Sequence, residues 1–61
     1  MQNDARRADI LTQLSESRKP VSATALAEKY HLSRQSIVGD IALLRAAGNE
    51  IIATSRGYLL A

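Results

Sequence analysis

Apolar residues recur at helical spacing through the first three quarters of the chain. Between Asn3 and Ser17 the inward positions are the aliphatic stem of Arg7, then Ile10, Leu11 and Leu14. That i, i+3, i+4, i+7 stripe predicts an amphipathic helix. Asn3 or Asp4 supplies its cap, Asp4 and Asp9 lie toward its positive end, and Arg18 and Lys19 follow its negative end. Pro20 stops the helix by biasing Lys19 away from helical dihedrals. Ser22 is a good N-cap for a second helix over Ala23–Tyr30, with Ala23, Leu26, Ala27 and Tyr30 on one face. His31 and Leu32 interrupt the pattern, and Ser33 caps a third helix that runs from Arg34 to about Ala47. Its inner positions are Ile37, Ile41 and Leu44, and Gly48 stands where a left-handed residue closes a helix.

After Gly48 the period changes. Ile51-Ile52-Ala53-Thr54 and Tyr58-Leu59-Leu60 are short runs rich in β-formers, separated by Ser55-Arg56-Gly57. This is a hairpin signal. Tyr58 and Leu60 share the face turned to the helices, which leaves Leu59 pointing outward toward a further domain or partner. A two-stranded hairpin is marginal alone. Val21, a single extended apolar residue after Pro20, is available as a third strand. The predicted order is helix, strand, helix, helix, strand, strand: a mainly α fold with a small β-sheet.

Length and composition narrow the classes. Sixty-one residues make one domain, 1–61, which buries only ~60% of the surface its unfolded form exposes. The hydrophobic share is 46%, but alanine supplies much of it, and Tyr30 and Tyr58 are the only aromatics. There is no cysteine, so neither disulfides nor thiolate metal ligands staple the fold. No apolar run reaches the ~20 residues of a membrane span, and the opening Met1-Gln2-Asn3-Asp4 is polar, unlike a signal peptide. A cytoplasmic domain without membrane contact is expected. Catalysis has little support: Asp40 has no acidic neighbour on its helix, Asp4 and Asp9 sit on a surface helix, and the three glycines do not form a phosphate loop. A lone His31 does not make a metal site. The chain is read as no enzyme.

The net charge of +2 is only weakly suggestive of a polyanion partner, although most of the cations are arginine. The arrangement says more. The second and third helices, joined by a short turn, have helix-turn-helix spacing. With Ile37, Ile41 and Leu44 inside, Arg34, Gln35, Ser36, Val38, Gly39 and Leu43 remain on the outer sides of the third helix. Arg reads guanine, Gln reads adenine, Ser serves either, and Val38 suits a thymine methyl. Arg34, Gln35, Ser36, Val38 and Gly39 are therefore the candidate base contacts. Ser22, Thr24 and Ser33, at helix starts, and Arg56, at the hairpin tip, are the candidate phosphate contacts. Arg6 and Arg7 are a further pair able to meet the DNA backbone. Asp40, on a helix facing phosphate, is expected to pair with a nearby arginine. Wheel and charge alone leave two readings open, a nucleic-acid face and an ordinary capped, solvated helix.

The stretch from Val21 to Gly48 resembles the helix-turn-helix of bacterial winged-helix repressors. Ser33-Arg34-Gln35 with Ile37-Val38, Asp40-Ile41-Ala42, Leu44-Arg45 and Gly48, followed by Ile51-Ile52-Ala53-Thr54-Ser55-Arg56-Gly57-Tyr58, is most similar to the N-terminal domain of the niacin-responsive repressor family. A looser likeness extends to the DNA-binding domains of the biotin repressor and the DeoR-type regulators. The resemblance implies a winged helix-turn-helix that binds a double-stranded DNA operator, as a homodimer in the full-length protein and as a possible monomer in a 61-residue piece. It also implies that nicotinic acid and a metal ion are bound by a separate C-terminal effector domain, so that no cofactor belongs to these residues. Two positions depart from the family pattern. His31 stands where glycine is common, and Gly39 stands where a long polar side chain is usual. Either Gly39 permits close approach to DNA or one base contact is missing. The alternative reading is a winged-helix protein-interaction module using Val38, Leu43 and Leu59.

Overall fold

The computed structural model describes residues 3–61; the polar opening read at Met1 and Gln2 lies outside the described residues. Three helices, α1 (Asn3–Glu16), α2 (Ala23–Tyr30) and α3 (Arg34–Ala46), are followed by strands β1 (Ile51–Thr54) and β2 (Gly57–Leu60). Because α1 starts at Asn3, Asn3 and Asp4 lie within its first turn and not ahead of it, contrary to the expectation that one of them is the cap. The inner stripes meet as the sequence pattern requires. Ile10 and Leu14 from α1, Ala23, Leu26 and Ala27 from α2, Ile37, Ile41 and Leu44 from α3, and Ile51 from β1 form one buried cluster. Leu11, Val21, Tyr30, Leu32, Tyr58 and Leu60 close its rim.

The turn of the helix pair is built by two backbone devices. Ser22 and Ser33 are the N-caps of α2 and α3, their hydroxyls accepting from the N–H groups of Ala25 and Ser36 at 3.0 and 3.1 Å. At the end of α2, His31 adopts φ 56° and ψ 45°. The His31 N–H donates to the Glu28 carbonyl and the Leu32 N–H to the Ala27 carbonyl, the paired bonds of a Schellman closure. Leu32 then folds back onto the core. Gly48 closes α3 in the same way, with φ 103° and bonds from Gly48 to Arg45 and from Asn49 to Leu44.

The hairpin is antiparallel, with Ile51 opposite Leu60, Ile52 opposite Leu59, Ala53 opposite Tyr58 and Thr54 opposite Gly57. Its loop is therefore two residues, Ser55 and Arg56, and Gly57 belongs to β2 instead of the loop. The Thr54 hydroxyl donates to the Gly57 carbonyl and accepts from the Arg56 N–H, which fixes the tip. Among the described residues the sheet has two strands, and the expected third is only an isolated bridge: Val21 exchanges two backbone hydrogen bonds with Tyr58, 2.9 and 2.8 Å long. Pro20 and the start of α2 leave no room for a longer pairing. This bridge explains Gly57. A Cβ there lies 2.4 Å from the Val21 carbonyl carbon and 2.6 Å from the Ser22 nitrogen, and φ is 137°. Glycine is required for contact as well as for conformation.

Among the described residues, one charge lies inside. Asp40, on the inward side of α3, is buried, and Arg6 of α1 grips it with both arms, Nε to Oδ2 at 2.6 Å and Nη2 to Oδ1 at 3.0 Å. The Arg7 guanidinium stands 3.6 Å from Oδ1 and also pairs with Asp4. The hydrogen bonds to Asp40 push the Arg6 pKa up from its already high value, against the pull of burial. Asp40 thus has the arginine partner expected of it, but from another helix. Arg6 and Arg7, able on sequence to meet the DNA backbone, are engaged in this network instead. A second polar link joins α1 to α2, where the Tyr30 hydroxyl donates to Asp9. Burial, reinforced by Asp9, raises the Tyr30 pKa and keeps the phenol protonated.

Three outcomes are expected. Gly57→Ala destabilises the domain by on the order of 3 kcal/mol, because backbone must move to admit the methyl; urea unfolding measures it, and an unchanged midpoint removes the steric argument. His31→Gly raises stability by about 1 kcal/mol, the cost of a left-handed non-glycine residue. Arg6→Leu lowers the thermal midpoint more than the Arg6→Leu/Asp40→Leu double variant does, since only the single variant strands a buried carboxylate.

Candidate nucleic-acid interface

α3 advances about 100° per residue, so its buried residues define its roll. Ile37, Asp40, Ile41 and Leu44 occupy the inner arc. Opposite them, Gln35, Gly39 and Ala42 form the centre of the exposed face, with Val38 beside them at 46% exposure. The two flanks differ. On one, Ser36 and Leu43 flank Asp40, and the Ser36 hydroxyl is 3.0 Å from the capping hydroxyl of Ser33. On the other, Arg34, Val38, Ile41 and Arg45 succeed one another along the side facing the hairpin. The Arg45 Nε donates to the Ile51 carbonyl at 3.0 Å, which anchors the end of this flank to β1. Arg34 stands at its beginning.

Between that end of α3 and the wing lies an open cleft of about 170 Å³. Ser22, Ala23 and Thr24 from the start of α2, Arg34 from α3, and Ala53 through Tyr58 from the hairpin line it. Four predicted contact residues from three separate segments, Ser22, Thr24, Arg34 and Arg56, are thus brought to one place. No aspartate or glutamate lines it. Ser33 and Ser36 are exposed but lie outside this lining, joined to each other through the cap. Gln35, Val38 and Gly39 face outward on α3 next to it. Ala53 and Ser55 were not singled out by sequence reasoning; the two-residue loop, which sets their register, is the signal that places them.

Side-chain commitments separate the cations further. Arg6, Arg7 and Arg45 are used within the fold, and the Lys29 ammonium lies 5.7 Å from the Tyr30 ring centre. Among the described residues, no side-chain hydrogen bond or ion pair engages Arg34, Arg56, Thr24 or Gln35. Gly39 is helical and exposed, and a Cβ built there meets nothing within 4 Å. The fold itself does not need glycine at that position. The three residues of the interaction-module reading are dispersed. Val38 and Leu43 lie about 140° apart around α3, and Leu59 pairs with Ile52 on the outer face of the hairpin.

Comparison with known proteins adds a family. The HTH (helix-turn-helix) domain family matches residues 6–59. The chain is 52% identical over 56 residues to the probable transcription repressor NiaR of Thermotoga maritima, an alignment covering 92% of this chain and 32% of that protein. It is 50% identical over 54 residues to the transcription repressor NadR of Bacillus subtilis, covering 88% of this chain and 30% of that protein. The chain therefore spans about a third of the length of these curated relatives. Since the family match extends from α1 through the paired helices and almost to the end of the hairpin, the chain belongs to the HTH domain family.

Proposed function

We propose that residues 1–61 are the operator-reading domain of a bacterial transcription repressor and bind double-stranded DNA sequence-specifically. The observation that carries this reading is the outward face of α3, uncharged along Gln35, Val38, Gly39 and Ala42, lying directly beside a cleft lined by two uncommitted arginines. A surface of that kind suits the floor of the major groove, with cations placed for the phosphates at its edge. The names of the two relatives, both transcription repressors, support it.

In this reading α3 enters the major groove from its N-terminal end. Gln35 pairs with an adenine edge, Val38 packs on a thymine methyl, Ser36 reaches a neighbouring base, and Gly39 lets the helix approach closely. Ser22, Thr24 and Ser33 position the backbone through hydroxyl and N–H groups, and Arg56 holds the adjacent strand from the wing. The whole repressor acts as a cytoplasmic homodimer on a palindromic operator, is niacin-responsive, and binds nicotinic acid and a metal ion outside residues 1–61. Its role is regulatory, not enzymatic. The interaction-module alternative gains nothing from the structure, because Val38, Leu43 and Leu59 do not share a face.

Selection from random duplex DNA, followed by titration of the recovered palindromic duplex at several salt concentrations, tests the reading. Steep salt dependence is expected. Gln35→Ala costs about 1–3 kcal/mol on the selected duplex and relaxes choice at one base pair. Gly39→Ala stabilises the fold by about 1 kcal/mol through helix propensity, yet weakens DNA binding; unchanged binding takes Gly39 out of the interface. Salt-insensitive self-association, with no affinity for any duplex, refutes the proposal.

A further inference from the structure

We infer that Arg34 is not a base reader but one jaw of a two-arginine seat for a single DNA backbone phosphate, with Arg56 of the wing as the other jaw. The inference rests on the DNA-binding reading above and reassigns one residue within it. Sequence alone grouped Arg34 with Gln35 because both begin the exposed part of α3. The folded chain separates them. Arg34 lies about 100° around the helix from Gln35, on the flank whose far end is tied to β1 through Arg45 and Ile51. Arg34 lines the cleft together with the hairpin residues Ala53 to Tyr58, among them Arg56.

Size and chemistry fit a phosphodiester. The cleft, about 170 Å³ and open to solvent, has room for one phosphate group. Among the described residues, the lining includes Arg34, Arg56 and Thr24 and no aspartate or glutamate. Neither guanidinium has an ion-pair partner among the described residues, and a guanidinium presents forked donors matched to phosphate oxygens. The cleft is bounded by α3 on one side and the wing on the other. One phosphate held there links groove reading by α3 to wing docking.

The test uses this chain and the duplex recovered by selection. Wild type, Arg34→Ala, Arg56→Ala and the double variant are titrated at several salt concentrations, against the selected duplex and a panel of single-base-pair substitutions. Arg34→Ala is expected to weaken every duplex by the same factor, on the order of tenfold, with the order of preference unchanged. In the double variant the salt slope falls by about 0.9, the value for one phosphate, and not by twice that. Arg34→Lys, which keeps the charge, recovers part of the affinity. In a scan of methylphosphonate substitutions, one neutralised phosphate abolishes the difference between wild type and both single variants. A loss of preference at one base pair in Arg34→Ala makes Arg34 a base reader and overturns the inference, as does a doubled loss of slope or the absence of any such shared phosphate. Each of these leaves wild-type DNA binding intact, so they are distinct from failure of the DNA-binding reading, in which wild type binds no duplex.

Discussion

The buried carboxylate of Asp40 sets how α3 is rolled. A charge withdrawn from water is tolerated only when it is paired and hydrogen-bonded, and the guanidinium that satisfies it belongs to Arg6 on α1. Rolling α3 by one residue, about 100°, breaks that double contact and drags Ile37 and Ile41 out of the core. Ion pairs of this kind add little net stability, since desolvation offsets most of the attraction. A packing that separates the two partners strands a buried charge and is disfavoured. The other buried residues of α3 are aliphatic, Ile37, Ile41 and Leu44. With Asp40 among them, one roll is selected, and Gln35, Gly39 and Ala42 face outward as a consequence.

The wing is placed by backbone more than by side chains. Its hydrophobic contribution is modest: Ile51 is buried, while Tyr58 and Leu60 are only half so. The Val21–Tyr58 bridge and the absence of a Cβ at Gly57 let β2 lie directly on the segment entering α2. That same segment carries the cap Ser22. The position of the hairpin tip is therefore coupled, through a few hydrogen bonds, to the first turn of α2, and Arg45 couples β1 to the end of α3. A chain without cysteine and with few large side chains holds its wing by close approach of main chain to main chain.

Local features were legible in the sequence, and relations between distant segments were not. The three helices, both serine caps, the inner faces and the left-handed exit at Gly48 follow from periodicity and from residue types with one dominant conformational use. The hairpin followed too, though its loop was read one residue too long, because Gly57 looks like a turn residue until the Val21 backbone is seen against it. The Arg6–Asp40 pair was not legible because nothing in a pattern links residue 6 to residue 40. That Arg34 lines a cleft with the hairpin was not legible for a similar reason. A helical wheel separates inside from outside, but which outer flank meets the hairpin depends on how β1 returns along α3. The Tyr30–Asp9 bond between α2 and α1 is of the same kind, a contact set by how two helices cross.

A net charge of +2 is a poor measure of this surface for the same reason. Asp40 is neutralised inside by Arg6, and Asp4 is paired with Arg7, so two acids and two cations are absorbed at the α1–α3 junction. What a polyanion meets is the local field at the cleft, whose lining among the described residues includes Arg34 and Arg56 and no aspartate or glutamate. Side chains facing water interact strongly only within about a Debye length, ~8 Å at physiological salt. Charges on the far side of the molecule therefore contribute little to that field. The distribution of commitments among the eight cations, fixed by the fold, decides the electrostatics of the site, and the formal sum over the chain does not.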